Sequence, residues 1–187
     1  STEQVEYQDN EADNSKSFDI VFMVPEADRD ATVLADRRTS YAELDARASA
    51  LAEGLASIGG IKAGNRAAWM DVNSDRQVEA FFGIARADAV SVPFNYRARD
   101  DELAFAIEDS GATVLFVGPK YLGAVVELLA SQADRLASLK TLVAIDGEPP
   151  EGWTAYEAML DRGGKPVPAR DGDDTAMILY TSGTTGK

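Results

Sequence analysis

The sequence predicts an α/β fold, a layered and largely parallel sheet with helices on both faces. Two observations carry this expectation. Short apolar runs alternate with helical patterns along most of the chain. Several of the runs, "TVLFV" and "TLVAI" among them, are apolar at every position, as strands buried on both faces must be. No internal repeat or low-complexity tract interrupts the alternation.

Taken in order, residues 1–17 ("STEQVEYQDNEADNSKS") are acidic and polar, unlike a secretory or mitochondrial targeting signal. They are expected to form a flexible arm, leaving residues 18–187 as the α/β body. "FDIVFMVPEAD" reads equally as a short strand or a first helical turn. Ser17 is placed to cap a helix there, and Pro25 would end either element. "ATVLADRRTSY" predicts two short strands around a turn at Asp36–Arg38. A helix then opens at Ser40, with Glu43 three residues on completing a capping box. Tyr41, Leu44, Ala48, Leu51, Leu55 and Ile58 form its apolar stripe, and Gly59 and Gly60 stop it.

"RAAWMDV" predicts a strand. "NSDRQVEAFFGIARA" predicts a helix capped by Ser74 and Gln77, with Val78, Phe81, Phe82 and Ala85 as its buried face. "AVSVPF", "TVLFV" and "TLVAI" predict strands, separated by helices in "DDELAFAIEDSG" and "KYLGAVVELLASQADRL". A loop "DGEPPEGW", a short helix "AYEAMLDRGG", a polar linker "KPVPARDGDD" and a last strand "AMILY" follow.

Composition bounds the chemistry. The 187 residues are 45% hydrophobic, enough for a substantial core. A net charge of −14, from 32 acidic against 18 basic residues, argues against nucleic-acid partners and anionic membranes. It favours a soluble cytoplasmic protein. Cysteine and histidine are both absent. That removes disulfides, thiol nucleophiles, thiolate metal sites and Ser-His-Asp catalysis from this chain. The acid pairs Asp100–Asp101 and Asp173–Asp174 lack further ligands at metal spacing and read as helix starts and solvated loops. Trp69, Phe81 and Phe82 read as core rather than as a tunnel lining, and Arg97 and Arg99 as surface ion pairs.

The stretch most specific for chemistry is "YTSGTTGK", residues 180–187. It follows the predicted strand "AMILY", and ligands of open α/β sheets bind just beyond the carboxyl ends of strands. Gly183 and Gly186 allow close approach of the backbone. Thr181, Ser182, Thr184 and Thr185 offer hydroxyls, and successive amides in such a turn can form an anion nest. The combination suits a polyphosphate. It is not a Walker loop, which needs glycine at the position of Thr181, nor does its glycine spacing match the dinucleotide fingerprint. A polar turn with no ligand is the competing reading of these residues alone.

"YTSGTTGK" resembles the phosphate loop of the adenylate-forming superfamily, which includes acyl-CoA synthetases, luciferase and peptide-synthetase adenylation domains. "TSYAELDARASALAEGL" is similar to that family's early helix. Residues from Gly60 to "ATVLFV" follow its pattern: a glycine turn, a strand ending near Asn, a helix with paired aromatics, a strand into Pro, and a helix ending Asp-Ser-Gly. Departures are Gly64-Asn65, where the family has Gly-Asp, and Ala87-Asp88-Ala89, where Ala-Gly-Ala is common. Both are expected to be matters of packing.

The resemblance implies the N-terminal subdomain of the large domain of an adenylate-forming enzyme, most like an acyl-CoA synthetase. It implies ATP, Mg2+ and coenzyme A as cofactors and co-substrates. Partners would be a fatty or aryl carboxylic acid and the remainder of the same enzyme; a homodimer is compatible with it. Thr181, Ser182, Gly183, Thr184, Thr185 and Gly186 match the motif and would grip the β- and γ-phosphates of ATP. Lys187 falls on the motif's variable position, so its assignment is the weakest, and a solvated charge is the alternative. No catalytic residue and no metal ligand is assigned within the chain, and residues 1–187 alone are expected to be inactive. Asn95-Tyr96-Arg97 favours a fatty or aryl acyl-CoA ligase. A peptide-synthetase or luciferase-like domain, and a non-catalytic nucleotide-binding module, remain as alternatives.

Overall fold

The computed structural model describes residues 27–161 and 174–181. The acidic arm, the ambiguous "FDIVFMVPE", most of the polar linker, the glycines after "AYEAMLD" and Ser182–Lys187 lie outside the described residues.

β1 (Asp30–Leu34) and β2 (Arg37–Ser40) form an antiparallel hairpin apart from the main sheet. Its turn falls earlier than the sequence suggests, because Ala35 takes the left-handed conformation (φ 51). α1 (Tyr41–Ser57) begins with the predicted box: Ser40 Oγ accepts from the Glu43 amide, and Glu43 accepts from the Ser40 amide at 2.8 Å. Gly60, at φ 63, turns the chain out of the helix.

The main sheet contains β3 (Arg66–Met70), β4 (Val90–Pro93), β5 (Val114–Val117), β6 (Thr141–Ala144) and β7 (Thr154–Ala155). All neighbours are parallel, in the order β4-β3-β5-β6-β7. Helices α2 (Asp75–Arg86), α3 (Asp100–Ser110) and α4 (Leu122–Ser131) make the crossovers, and α5 (Tyr156–Leu160) follows β7.

Strand alternation divides the core into two layers. Ala67, Trp69, Val114, Phe116 and Val143 face α1, α2 and α5, packing on Leu51, Leu55, Ile84 and Met159. Ala68, Met70, Leu115 and Val117 face α3 and α4, packing on Leu103, Ile107, Val125 and Leu128. Helices therefore cover both faces, as the uniformly apolar strands require. Trp69 is core, 2% exposed, with its ring edge-on to Tyr156 at 6.3 Å.

Several expectations need correction. α2 does not bury Val78, Phe81, Phe82 and Ala85. Val78, Phe81 and Ala85 are exposed and Phe82 is half-buried, while Asp75, Glu79, Ala80, Gly83 and Ile84 are buried. Two causes rotate the helix. Gly83 offers the closest approach to Leu51 of α1, where a Cβ would come within 2.7 Å of the leucine side chain. Glu79 is accepted inside because Arg47 (2.8 Å), Arg76 (3.0 Å) and the Tyr156 hydroxyl (3.2 Å) converge on its carboxylate. The cap of α2 is only half a box: Ser74 Oγ accepts from the Gln77 amide, with no returning bond from Gln77. α4 stops at Ser131, where Gln132 leaves helical geometry (ψ 35), and turns then bury Leu136. "AMILY" makes no full strand but a single parallel bridge, Ser91 to Met177.

The departure at Ala87-Asp88-Ala89 has a backbone reason. Asp88 sits at φ 64, a left-handed position that glycine takes freely and aspartate tolerates better than most residues.

Candidate phosphate-binding edge

The parallel order gives the sheet a switch point. β3 feeds α2 on one face toward β4, whereas β4 feeds α3 on the other face toward β5. Crossovers thus leave in opposite senses on either side of β3, opening a crevice beyond the carboxyl ends of β3 and β5.

Asp71 follows β3 into this crevice, over Gly118 at the end of β5. A Cβ on Gly118 would lie 2.1 Å from the Asp71 carboxyl carbon, so glycine is what admits the carboxylate. Its Oδ1 accepts from the Val72 amide at 2.8 Å. Burial pushes the Asp71 carboxyl above its ordinary value; Asp146 adds to this, while the Val72 amide and Lys120 oppose it. Beside it, Tyr96 and Tyr121 pack at 6.1 Å and the Arg97 guanidinium lies over the Tyr96 ring at 5.4 Å. Asn95 is structural. Its Oδ1 accepts from the Arg97 amide (3.0 Å) and its carbonyl from the Ala98 amide (2.9 Å), setting the turn into α3. Arg99 pairs with Glu102 as expected of a surface arginine.

The loop's stem runs along the far side of β4. The Ser91 amide donates to the Ala176 carbonyl (3.0 Å), and the Ile178 amide donates to the Ser91 carbonyl (2.9 Å). Parallel pairing carries the chain toward the carboxyl edge, so Tyr180 and Thr181 emerge beside Phe94, just past the end of β4. Thr181 is exposed. Of the predicted phosphate ligands it is the one described; Ser182, Gly183, Thr184, Thr185, Gly186 and Lys187 lie outside the described residues. The stem thus brings the start of the hydroxyl-rich loop to the edge where parallel sheets bind ligands.

Residue patterns missed two participants. Tyr180 donates its hydroxyl to Asp109 Oδ2 at 2.6 Å, and its ring lies between Phe94 (6.2 Å) and Phe105 (6.5 Å). Burial, then the bond to Asp109, pushes the phenol up to about 12. The tyrosine heading the motif and the Asp109-Ser110-Gly111 end of the helix were the available signals, but neither shows that the two side chains meet. A cleft of about 430 Å³ lies elsewhere, between α1 and the C-terminal half of α2, lined by Tyr41, Leu44, Ala48, Phe82 and Arg86. Among the described residues no three acidic side chains gather to hold a metal ion.

Comparison with known proteins identifies the family. The family described as AMP-binding enzyme matches residues 23–187. The chain belongs to the AMP-binding enzyme family. Indoleacetate–CoA ligase of Aromatoleum aromaticum is 38% identical over 156 residues, covering 81% of this chain and 29% of that protein. Feruloyl-CoA synthase of an Amycolatopsis species is 36% identical over 148 residues, covering 79% of this chain and 26% of that protein. The chain therefore spans under a third of these AMP-binding relatives and corresponds to an N-terminal region of this ligase family. The crystal structure of the anthranilate–CoA ligase AuaEII with anthranoyl-AMP shares the fold: TM-score 0.77, 24% identity, over 86% of this chain and 30% of that one.

Proposed function

We propose that this chain supplies the phosphate-gripping part of an ATP-dependent acyl-CoA synthetase. A carboxylate attacks the α-phosphorus of ATP and pyrophosphate leaves, giving an acyl-adenylate. The thiol of coenzyme A then takes the acyl group and AMP leaves. Thr181, Ser182, Gly183, Thr184, Thr185 and Gly186 would hold the β- and γ-phosphates, with Lys187 a peripheral charge. Amides and hydroxyls aimed there disperse charge that grows as pyrophosphate departs.

The observation that carries this reading is the Ser91 bridge, which sets the stem of the motif at the carboxyl edge of a parallel sheet. The residues fit a polyphosphate by chemistry: four hydroxyls, two glycines and no acidic side chain in "TSGTTGK". Magnesium supplies charge neutralisation when it arrives with the nucleotide, and the described residues add no cluster of ligands to it. Relatives named for indoleacetate and ferulate favour an aryl carboxylate, with fatty acids second. A cytoplasmic setting, where ATP and coenzyme A are both present, suits the reading. Among the described residues no helix is long and apolar enough to cross a membrane.

Carboxylate-dependent exchange of labelled pyrophosphate into ATP by the complete gene product tests the proposal. Exchange with aryl or fatty acids, followed by acyl-CoA formation, is the expected result. Absence of exchange across both acid classes refutes it. Transfer to a carrier-protein thiol but not to coenzyme A would move the protein to the peptide-synthetase side of the family. Residues 1–187 alone should show no exchange.

A further inference from the structure

Tyr180 stands immediately before Thr181, and its surroundings differ from those of its neighbours. Ile178 is still tied to β4 through Ser91. Leu179 is 66% exposed, so apolar burial does not hold the stretch between the bridge and the loop. Tyr180 turns inward instead and meets two elements. Phe94, 7% exposed, is fixed at the end of β4. Phe105 and Asp109 both lie on α3, and four residues apart they share one face of it. Phe105 is 54% exposed, yet its ring stands edge-on to Tyr180 at 85°. The hydroxyl reaches Asp109 at 2.6 Å, a short charge-assisted bond.

A loop that stabilises developing charge works only when its donors are already in place. Thr181 is exposed and heads the motif, so the place where its donors start depends on how the stem is held. The Ser91 bridge fixes the stem's height on β4 through two hydrogen bonds. Tyr180 adds a second attachment, to α3.

We propose that Tyr180 is a positioning residue for the phosphate loop, latched to Asp109 and clamped between Phe94 and Phe105 so that Thr181 and its successors start from one fixed place. The proposal rests on the adenylating function above and adds a part to it. The phenol is a latch and not a proton donor to the reaction, because burial and Asp109 keep it protonated far above neutral pH. α3 thereby becomes part of the ATP site without touching ATP.

The test uses the complete gene product and steady-state pyrophosphate exchange. Tyr180→Phe keeps the ring clamp and deletes one oxygen, so folding survives. It should raise KM for ATP about tenfold, the low end for one hydrogen bond to a charged acceptor, and leave KM for the carboxylate within about twofold. Asp109→Ala, which deletes the acceptor, should do the same. The double variant should be no worse than Tyr180→Phe, because both remove one bond. Tyr180→Leu, which also removes the clamp, should raise KM for ATP further. A latch that served only stability would lower the thermal midpoint and leave both KM values alone. An unchanged KM for ATP in Tyr180→Phe, or additive effects in the double variant, overturns the proposal. A wild type without carboxylate-dependent exchange removes the adenylating function and the proposal with it. An active wild type with insensitive variants overturns the latch alone.

Discussion

Alanine placed at Gly54, Gly83 and Gly123 should change stability with different signs, although all three glycines lie inside helices. Local propensity predicts a gain each time, about 0.8–1.0 kcal/mol for alanine over glycine in a helix interior and less at Gly123 in the first turn of α4. Tertiary contacts disagree. At Gly54 a Cβ would stand 1.9 Å from the Met159 carbonyl oxygen and 2.8 Å from its carbon, both backbone atoms of α5. Ordinary carbon–oxygen contacts lie at about 3.3–3.6 Å, so the helices would have to part by more than about 1 Å. Met159 is fully buried and Tyr156 is 2% exposed, so α5 cannot retreat without opening the core. Overpacking of this kind costs about 1–3 kcal/mol. Taking the upper end and subtracting the propensity gain leaves a loss of about 2 kcal/mol. At Gly83 the obstacle is the Leu51 side chain at 2.7 Å, which can shift in part, and the net loss should be about 1 kcal/mol or less. At Gly123 nothing lies within 4 Å, so alanine should stabilise by up to about 1 kcal/mol. Equilibrium urea unfolding followed by tryptophan fluorescence reads the series, because Trp69 sits in the layer that Gly54 and Gly83 border. Equal or greater stability of Gly54→Ala would refute the reasoning, as would destabilisation by Gly123→Ala.

Three further outcomes are expected. Glu79→Gln should lower stability by about 3 kcal/mol, seen as a fall in the thermal midpoint; that is the low end for breaking a buried ion pair, because Arg47 and Arg76 both keep Glu157. Ser40→Ala removes the acceptor for the Glu43 amide and should cost about 1 kcal/mol, with exchange of the first-turn amides of α1 accelerated. Asp71→Asn should stabilise at neutral pH. Burial raises the folded-state pKa of Asp71, so its favourable contribution is complete below the ordinary value of 3.8 and is lost as pH rises through the folded value. The variant's advantage should therefore appear only as pH climbs above the ordinary carboxylate range. An advantage that persists unchanged in acid would refute this account.

How far the sequence could be read depended on where the deciding partner lay. The cap at Ser40 was legible because Ser40 and Glu43 are three residues apart. The stop at Gly60 and the uniformly apolar β5 were legible for the same reason, since backbone conformation and two-sided burial leave local marks. The buried face of α2 was misread because the apolar pattern treats a glutamate as solvent-facing. Glu79 is inside because Arg47, 32 residues away, and Tyr156, 77 residues away, join Arg76 at its carboxylate. β7 is two residues long and leaves no periodicity to read. The stem of the phosphate loop was expected as a strand, and its pairing is one bridge, because Tyr180 leaves β4 for α3.

By itself the sequence determined the alternation of strands and helices, the two-sided burial of the sheet, and a loop chemistry suited to polyphosphate. Those properties reside in consecutive residues, whose periodicity, glycine content and hydroxyls act locally. Tertiary structure decided the strand order, the rotation of α2 about its axis, and the attachment of Tyr180 to Asp109, 71 residues earlier in the chain. Each of these depends on charges, rings and glycine gaps that meet only when the parallel crossovers have stacked α1 on α2 and brought the loop's stem to the outer edge of β4.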